Sequence, residues 1–185
     1  MLRRFILGAC ALLALAAVVK ADKKREPLRV VPSVDPARYA GRWYEIARLP
    51  NRFQKKCAGD VTADYAVRDD GGFDVLNRCR KADGTVTSAK GQARPASKRG
   101  PNSKLEVRFA PGFLSFLPIV WGDYQVIDLA PDYSYALVGE PDRKYLWVLA
   151  RAPRIDEETY GRAVARAAAE GFDVSKLMRT EQSGK

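Results

Sequence analysis

Alternation of apolar and polar residues first appears in Gly41-Arg42-Trp43-Tyr44-Glu45-Ile46-Ala47-Arg48, which predicts a strand over residues 42–49. The same period of two recurs until a helical period replaces it near Asp156. Residues 61–67 place Val61, Ala63, Tyr65 and Val67 on one face, and residues 73–79 answer with Phe73, Val75, Asn77 and Cys79. Arg68-Asp69-Asp70-Gly71-Gly72 lies between them and supplies residues that tolerate positive φ, so the two segments form a hairpin. After an Asp83-Gly84 turn, residues 85–93 give a polar strand, and residues 105–109 a short alternating one. Residues 124–129, 133–139 and 145–151 complete a set of about eight, at the spacing of an antiparallel meander or barrel.

The helix is marked at both ends. Asp156 is its N-cap, Glu157 and Glu158 occupy the first turn where they favour the macrodipole, and Gly171 stops it. Ile155 and Tyr160 stand at the two positions of a hydrophobic staple. Tyr160, Ala163, Val164, Ala167 and Ala168 make one apolar face, while Glu158 with Arg162 and Arg166 with Glu170 are i,i+4 pairs. Beyond it, residues 172–177 predict a short final strand.

Three segments fall outside these periods. Met1-Leu2-Arg3-Arg4 is basic, residues 5–19 are continuously apolar, and Val19-Lys20-Ala21 offers small residues for a cut, so residues 1–21 have the layout of a signal peptide. The apolar run is shorter than the ~20 residues of a membrane span. Cys10 sits in a lipoprotein-like Leu7-Gly8-Ala9-Cys10, but cleavage there would leave a greasy stretch behind, which argues against lipid attachment. Residues 22–38 are charged and proline-broken, an extended and partly disordered lead-in. Residues 22–33 precede a single domain over 34–180. Residues 111–121 contain two prolines and no clean period, yet are apolar.

Charge and chemistry narrow the function classes. The formal net charge is +10 with no histidine, and losing residues 1–21 removes Arg3, Arg4 and Lys20 but no acid. The basic residues are scattered, without the aromatic interleaving of a nucleic-acid binder, so nucleic acid is not an expected partner. Anionic lipid fits an exported basic chain better. The lack of histidine excludes Ser-His-Asp and Cys-His nucleophile systems, His-ligated haem and most zinc sites. No metal and no cofactor are expected. Cys57 and Cys79 remain after cleavage, and an even pair in an oxidising compartment predicts a disulfide.

Three motifs follow one another along the chain: Gly41-Arg42-Trp43-Tyr44-Glu45-Ile46-Ala47, then Val126-Ile127-Asp128-Leu129-Ala130-Pro131-Asp132-Tyr133-Ser134-Tyr135-Ala136-Leu137-Val138, then Tyr145-Leu146-Trp147-Val148-Leu149-Ala150-Arg151. In this order they resemble the lipocalin family, most closely its bacterial outer-membrane branch. The resemblance implies an all-β fold: an eight-stranded antiparallel up-and-down β-barrel, open at one end, with a C-terminal α-helix packed outside. It also implies that Trp43 packs on Arg151 across the closed end. In such a barrel Cys57 and Cys79 meet at the mouth, and residues 111–121 form an open-end loop.

Strand parity then proposes a cavity lining. If Trp43 points inward, so do Glu45 and Ala47; if Arg151 does, so do Tyr145, Trp147 and Leu149. Tyr65, Val75, Tyr124 and Val126 are further candidates. Glu45 either faces the cavity, where a carboxylate must be paired or hydrated, or is turned outward by a bulge. Phe113, Phe116 and Trp121 on the 111–121 loop are either a lid over the mouth or a membrane contact. The leading expectation is a non-enzymatic carrier of a fatty acid or lysophospholipid in the periplasm or at the outer membrane. A membrane-surface or envelope factor acting through the 111–121 loop is the alternative, and an enzyme using Glu45 and Asp128 a third. The expected partners are a lipid ligand, a membrane surface and a second copy of the chain.

Overall fold

The computed structural model describes residues 25–183. The expectations for the signal peptide and Cys10 lie outside those residues. The strands are β1 (Gly41–Arg48), β2 (Gly59–Val67), β3 (Phe73–Arg80), β4 (Val86–Pro95), β5 (Lys104–Arg108), β6 (Gly122–Leu129), β7 (Tyr135–Gly139) and β8 (Leu146–Ala150). Each pairs antiparallel with the next, and β1 pairs with both β2 and β8, which closes the barrel. A short helix, α1 (Pro36–Tyr39), precedes β1, and α2 (Glu157–Ala169) follows β8. Closure leaves no bare sheet edge around most of the circumference.

Local chemistry accounts for the turns and caps. In the β2–β3 hairpin, Arg68 N–H donates to Gly72 O at 2.9 Å, and Gly71 adopts φ +79°. The Asp156 carboxylate accepts from Thr159 N–H at 2.7 Å to cap α2, and Gly171 ends it at φ +84°. Ala163 and Ala167 are fully buried, and these small side chains let the helix lie close to the barrel wall. The wall therefore separates two apolar layers. Trp43, Tyr65, Val75, Leu105, Val126 and Leu149 belong to the layer inside the barrel. Ile46, Ile127, Leu137, Val148 and Phe172 belong to the layer under α2.

Two terminal segments depart from expectation. Residues 25–34 are extended but packed: Leu28 is buried under the helix, Val34 joins the interior layer, and Val31 N–H donates to Val126 O at 3.0 Å. Apolar anchors between the prolines outweigh the charged composition. Residues 172–177 form no strand, because Phe172 turns into the helix-side layer and a 3₁₀ turn (Val174–Lys176) follows. The added strand, β9 (Met178–Arg179), pairs instead with the end of β1. There β1 and β2 no longer pair, and the tail fills the seam. Thr180 N–H donates to Ile46 O at 2.9 Å and Asp60 N–H to Glu181 O at 2.8 Å. The Gln182 amide donates to Glu45 O at 2.8 Å and Val61 O at 2.9 Å.

Candidate ligand-binding site

The closed end is built on Trp43, which is fully buried. Its indole N–H donates to Tyr39 O at 2.8 Å, and the Arg151 guanidinium carbon lies 3.9 Å from its ring centroid. Arg151 also donates to Arg42 O at 2.8 Å and Arg38 O at 2.5 Å, tying α1 to the start of β1. A cation–π contact of this kind, with the ring buried and the guanidinium half-buried, is worth ~1 kcal/mol. Burial holds the Arg151 guanidinium below its ordinary pKa.

Above this plug three phenols meet. Tyr39 and Tyr124 hydroxyls are 2.7 Å apart and Tyr65 and Tyr124 hydroxyls 3.0 Å apart, all buried. Burial is the main cause that pushes all three phenols up, Tyr65 to about 12, so they stay neutral hydrogen-bonding groups. Sequence parity had placed Tyr65 and Tyr124 on the inner face but offered no sign of Tyr39, which comes from α1 rather than from a strand.

Toward the mouth the interior becomes polar at one side. Glu45, 2 % exposed, stands opposite Leu149, and Arg48, 8 % exposed, stands opposite Trp147. Arg48 Nη1 donates to Glu45 Oε1 at 2.5 Å, Thr180 Oγ1 donates to the same oxygen at 2.5 Å, and Gln54 Nε2 donates to Oε2 at 2.5 Å. Gln54 in turn accepts from the Trp147 indole at 3.0 Å. Glu45 is thus the paired carboxylate rather than the outward one. A bulge does exist, one residue later: the register slips between Glu45 and Ala47, and Ala47 faces Val148 in the helix-side layer. Ala47 therefore does not line the interior, and the bulge brings in Arg48 in its place.

The remaining positions divide by height. Val75, Tyr124, Val126 and Leu149 are buried in the interior layer. Ala63, Asn77, Gly91, Val107 and Trp147, nearer the mouth, are only half-buried, and Ala89 is exposed. Asn77 Oδ1 is buried without a partner among the described residues. Tyr145 stands at the rim, its ring 5.2 Å from that of Phe53 and 6.1 Å from that of Trp147. Cys57 and Cys79 form the disulfide, with Cα atoms 5.5 Å apart, and it ties the 49–58 loop, which carries Gln54, to the top of β3. Arg52, Lys55 and Lys56 are exposed on that loop. Asp128 is elsewhere: it accepts from Tyr135 Oη at 2.7 Å, opposite Leu137 in the helix-side layer.

The 109–121 loop leaves the open end with Phe113, Phe116 and Ile119 at 75 %, 76 % and 90 % exposure. Trp121 does not share that exposure. Its indole donates to Ser115 O at 2.8 Å, and Arg94 covers the ring at 3.9 Å from its centroid. It anchors the loop to the barrel wall; a packed lid over the mouth is not what forms.

These features define a lipocalin. The profile described as Lipocalin-like domain matches residues 34–182, and the chain belongs to that family. It is 42% identical over 161 residues to temperature-induced lipocalin-1 of Arabidopsis thaliana, covering 86% of each chain. It is 40% identical over 156 residues to the outer membrane lipoprotein Blc of Escherichia coli, covering 84% of this chain and 83% of that one. Apolipoprotein D of Macaca fascicularis is 36% identical, covering 83% and 79%. Among solved structures, insecticyanin of the tobacco hornworm superposes with a TM-score of 0.66 at 20% identity over 85% of both chains, a likeness of fold.

Proposed function

We propose that the barrel carries the acyl chain of a single-chain lipid, a fatty acid or lysophospholipid, with its head group at the basic mouth. One observation carries the reading: the interior is apolar and plugged by Trp43 and Arg151 below, while its inward positions become half-exposed above. An acyl chain lying on Trp147, Val107 and Ala63 loses water without needing polar partners. Ten buried methylenes contribute up to ~8 kcal/mol before ordering costs. Arg52, Lys55 and Lys56 supply positive charge at the rim, and Asn77 Oδ1 offers an acceptor to a hydroxyl. Residues 1–21 and the likeness to an outer membrane lipoprotein support a site of action in the cell envelope. The reading is carriage rather than catalysis, because Glu45 is consumed by Arg48 and Asp128 lies across the wall from it. Delipidated protein is expected to bind a fluorescent fatty acid that lysophospholipid displaces. No displaceable binding at micromolar concentrations overturns the proposal.

A second reading rests on Phe113, Phe116 and Ile119, which project from the mouth. Their exposure suits insertion into a lipid surface during loading or release. Flotation with anionic vesicles is expected for the native chain and is lost in Phe113→Ser/Phe116→Ser; equal flotation of both sinks this reading.

A further inference from the structure

The barrel wall carries a recess on its outer face. Asp64 stands opposite Leu76, and Leu76 opposite Lys90; Asp74 stands opposite Gln92, and Gln92 opposite Arg108. These positions alternate with Tyr65, Val75, Ala93 and Leu105, which belong to the interior layer, so they face outward. Residues 109–112 leave β5 at Arg108 and overhang this face, enclosing a groove of about 780 Å³. Gly91, opposite Val75, faces inward instead, and having no side chain it lets Phe109 lie against it: a Cβ there would lie 2.6 Å from Arg108 O and 2.7 Å from the Phe109 ring.

Arg108 sits in this groove at 8 % exposure, yet it makes no ion pair among the described residues. Its Nη1 donates to Ala110 O at 2.6 Å and its Nη2 to Gln92 Oε1 at 2.5 Å. Its Nε–H is buried and has no partner among the described residues. The guanidinium carbon also lies 5.2 Å from the Trp121 ring centroid. A buried cation supplied only with neutral acceptors is unfavourable, and an orphaned donor of this kind calls for an acceptor. The acids of the groove are already committed. Asp64 pairs with Arg42 and Arg78, and Asp74 accepts from Arg68 and Gln92. Lys90 lines the same groove and makes no ion pair among the described residues.

We propose that this outer groove is an oxyanion site, distinct from the barrel interior, that takes a phosphate or carboxylate group at Arg108 Nε with Lys90 as the second cation. A guanidinium edge suits a flat or tetrahedral oxyanion, because Nε–H and an Nη–H can donate in parallel. The anion comes either from a lipid head group, whose chain then lies toward Phe113 and Phe116, or from free phosphate. Each is the same chemistry at Arg108. The site does not depend on what occupies the barrel.

The test observes the Nε–H group directly, in arginine Nε–H correlation spectra of the full chain titrated with sodium phosphate against sodium chloride at matched ionic strength. Arg108→Lys assigns the resonance by deleting it; should that variant fail to fold, Trp121→Phe assigns it through the lost ring current. A saturable downfield movement with phosphate and with acetate is expected. Lys90→Gln, an exposed change, is expected to weaken phosphate about threefold. Dodecyl phosphate below its micellar concentration is the second arm. Half-saturation about tenfold or more below that of inorganic phosphate marks a lipid head group, and equal half-saturation marks the free ion. A resonance that phosphate and dodecyl phosphate leave where chloride leaves it overturns the proposal, as does a shift that Lys90→Gln does not weaken.

Discussion

A Glu45→Gln substitution leaves the Arg48 guanidinium without the carboxylate that lies 2.5 Å from its Nη1. Both side chains are nearly excluded from solvent, at 3 % and 9 % side-chain exposure, so water cannot replace the lost partner. Breaking a buried ion pair from one side costs ~3–5 kcal/mol. The pair lies toward the mouth, so the lower end, about 3 kcal/mol, is expected. Against a total stability of about 5–15 kcal/mol this is a large share, and it corresponds to a melting temperature lower by roughly 6–12 °C. Arg48→Met strands the carboxylate instead and costs a similar amount. The double variant removes both charges, so its cost falls well below the sum of the singles, with a coupling of about 2 kcal/mol. Urea titrations followed by tryptophan fluorescence and far-ultraviolet circular dichroism, on ligand-free protein with the disulfide intact, measure all four corners of the cycle. Singles that each cost under about 1 kcal/mol and add in the double would place the pair in solvent-screened surroundings and refute the buried arrangement.

Arg151→Ala removes the stack on Trp43 and two donated hydrogen bonds and is expected to cost about 2–3 kcal/mol in the same titrations; Arg151→Lys regains little, since an ammonium cannot reproduce the flat stack. Burial first, then Asp142 and Asp123, pushes the Glu140 carboxyl from its ordinary 4.5 up to about 7. The folded chain thus holds a proton that the unfolded chain releases earlier, and stability falls as pH rises through that window, by about 1–2 kcal/mol once solvent screening is allowed for. Glu140→Gln should flatten the slope; an unchanged slope removes Glu140 as its source. Cys57→Ser opens a 22-residue covalent loop, at a cost of ~3 kcal/mol. It also frees the loop carrying Gln54, so amide exchange over residues 50–58 should rise by more than that over β3.

Much of the fold was legible because the determining signals are local. The Arg68–Gly72 turn, the alternation on β2 and β3, and the Asp156 cap with its staple all act within a few residues. The candidate site was legible only where alternation is unbroken, as at Tyr65, Val75, Val126, Trp147 and Leu149. The Glu45 carboxylate hinted at a bulge, but nothing in Glu45-Ile46-Ala47 places it after Glu45, where it leaves the carboxylate facing inward. Yet that slip expels Ala47 and admits Arg48. Thr180 and Gln182 were missed for a different reason: they act on Glu45 across 135 and 137 residues of chain, and a polar tail carries no mark of the seam it fills. Trp121 looked like a member of the exposed apolar loop, because the guanidinium that covers it comes from Arg94 on another strand. The helix-side position of Asp128 follows from a second bulge, between Val126 and Asp128, equally silent in the sequence.

Quenching by a bromine-labelled fatty acid, titrated into delipidated protein, tests most directly whether an acyl chain enters the barrel. The three tryptophans occupy three separate places: Trp43 at the plug, Trp147 in the interior toward the mouth, and Trp121 against the outer wall. A chain inside the barrel quenches Trp147 saturably at one equivalent, so Trp147→Phe loses most of the quenching and Trp121→Phe keeps it. Quenching that survives Trp147→Phe and disappears with Trp121→Phe would place the lipid outside the barrel and contradict the carrier reading.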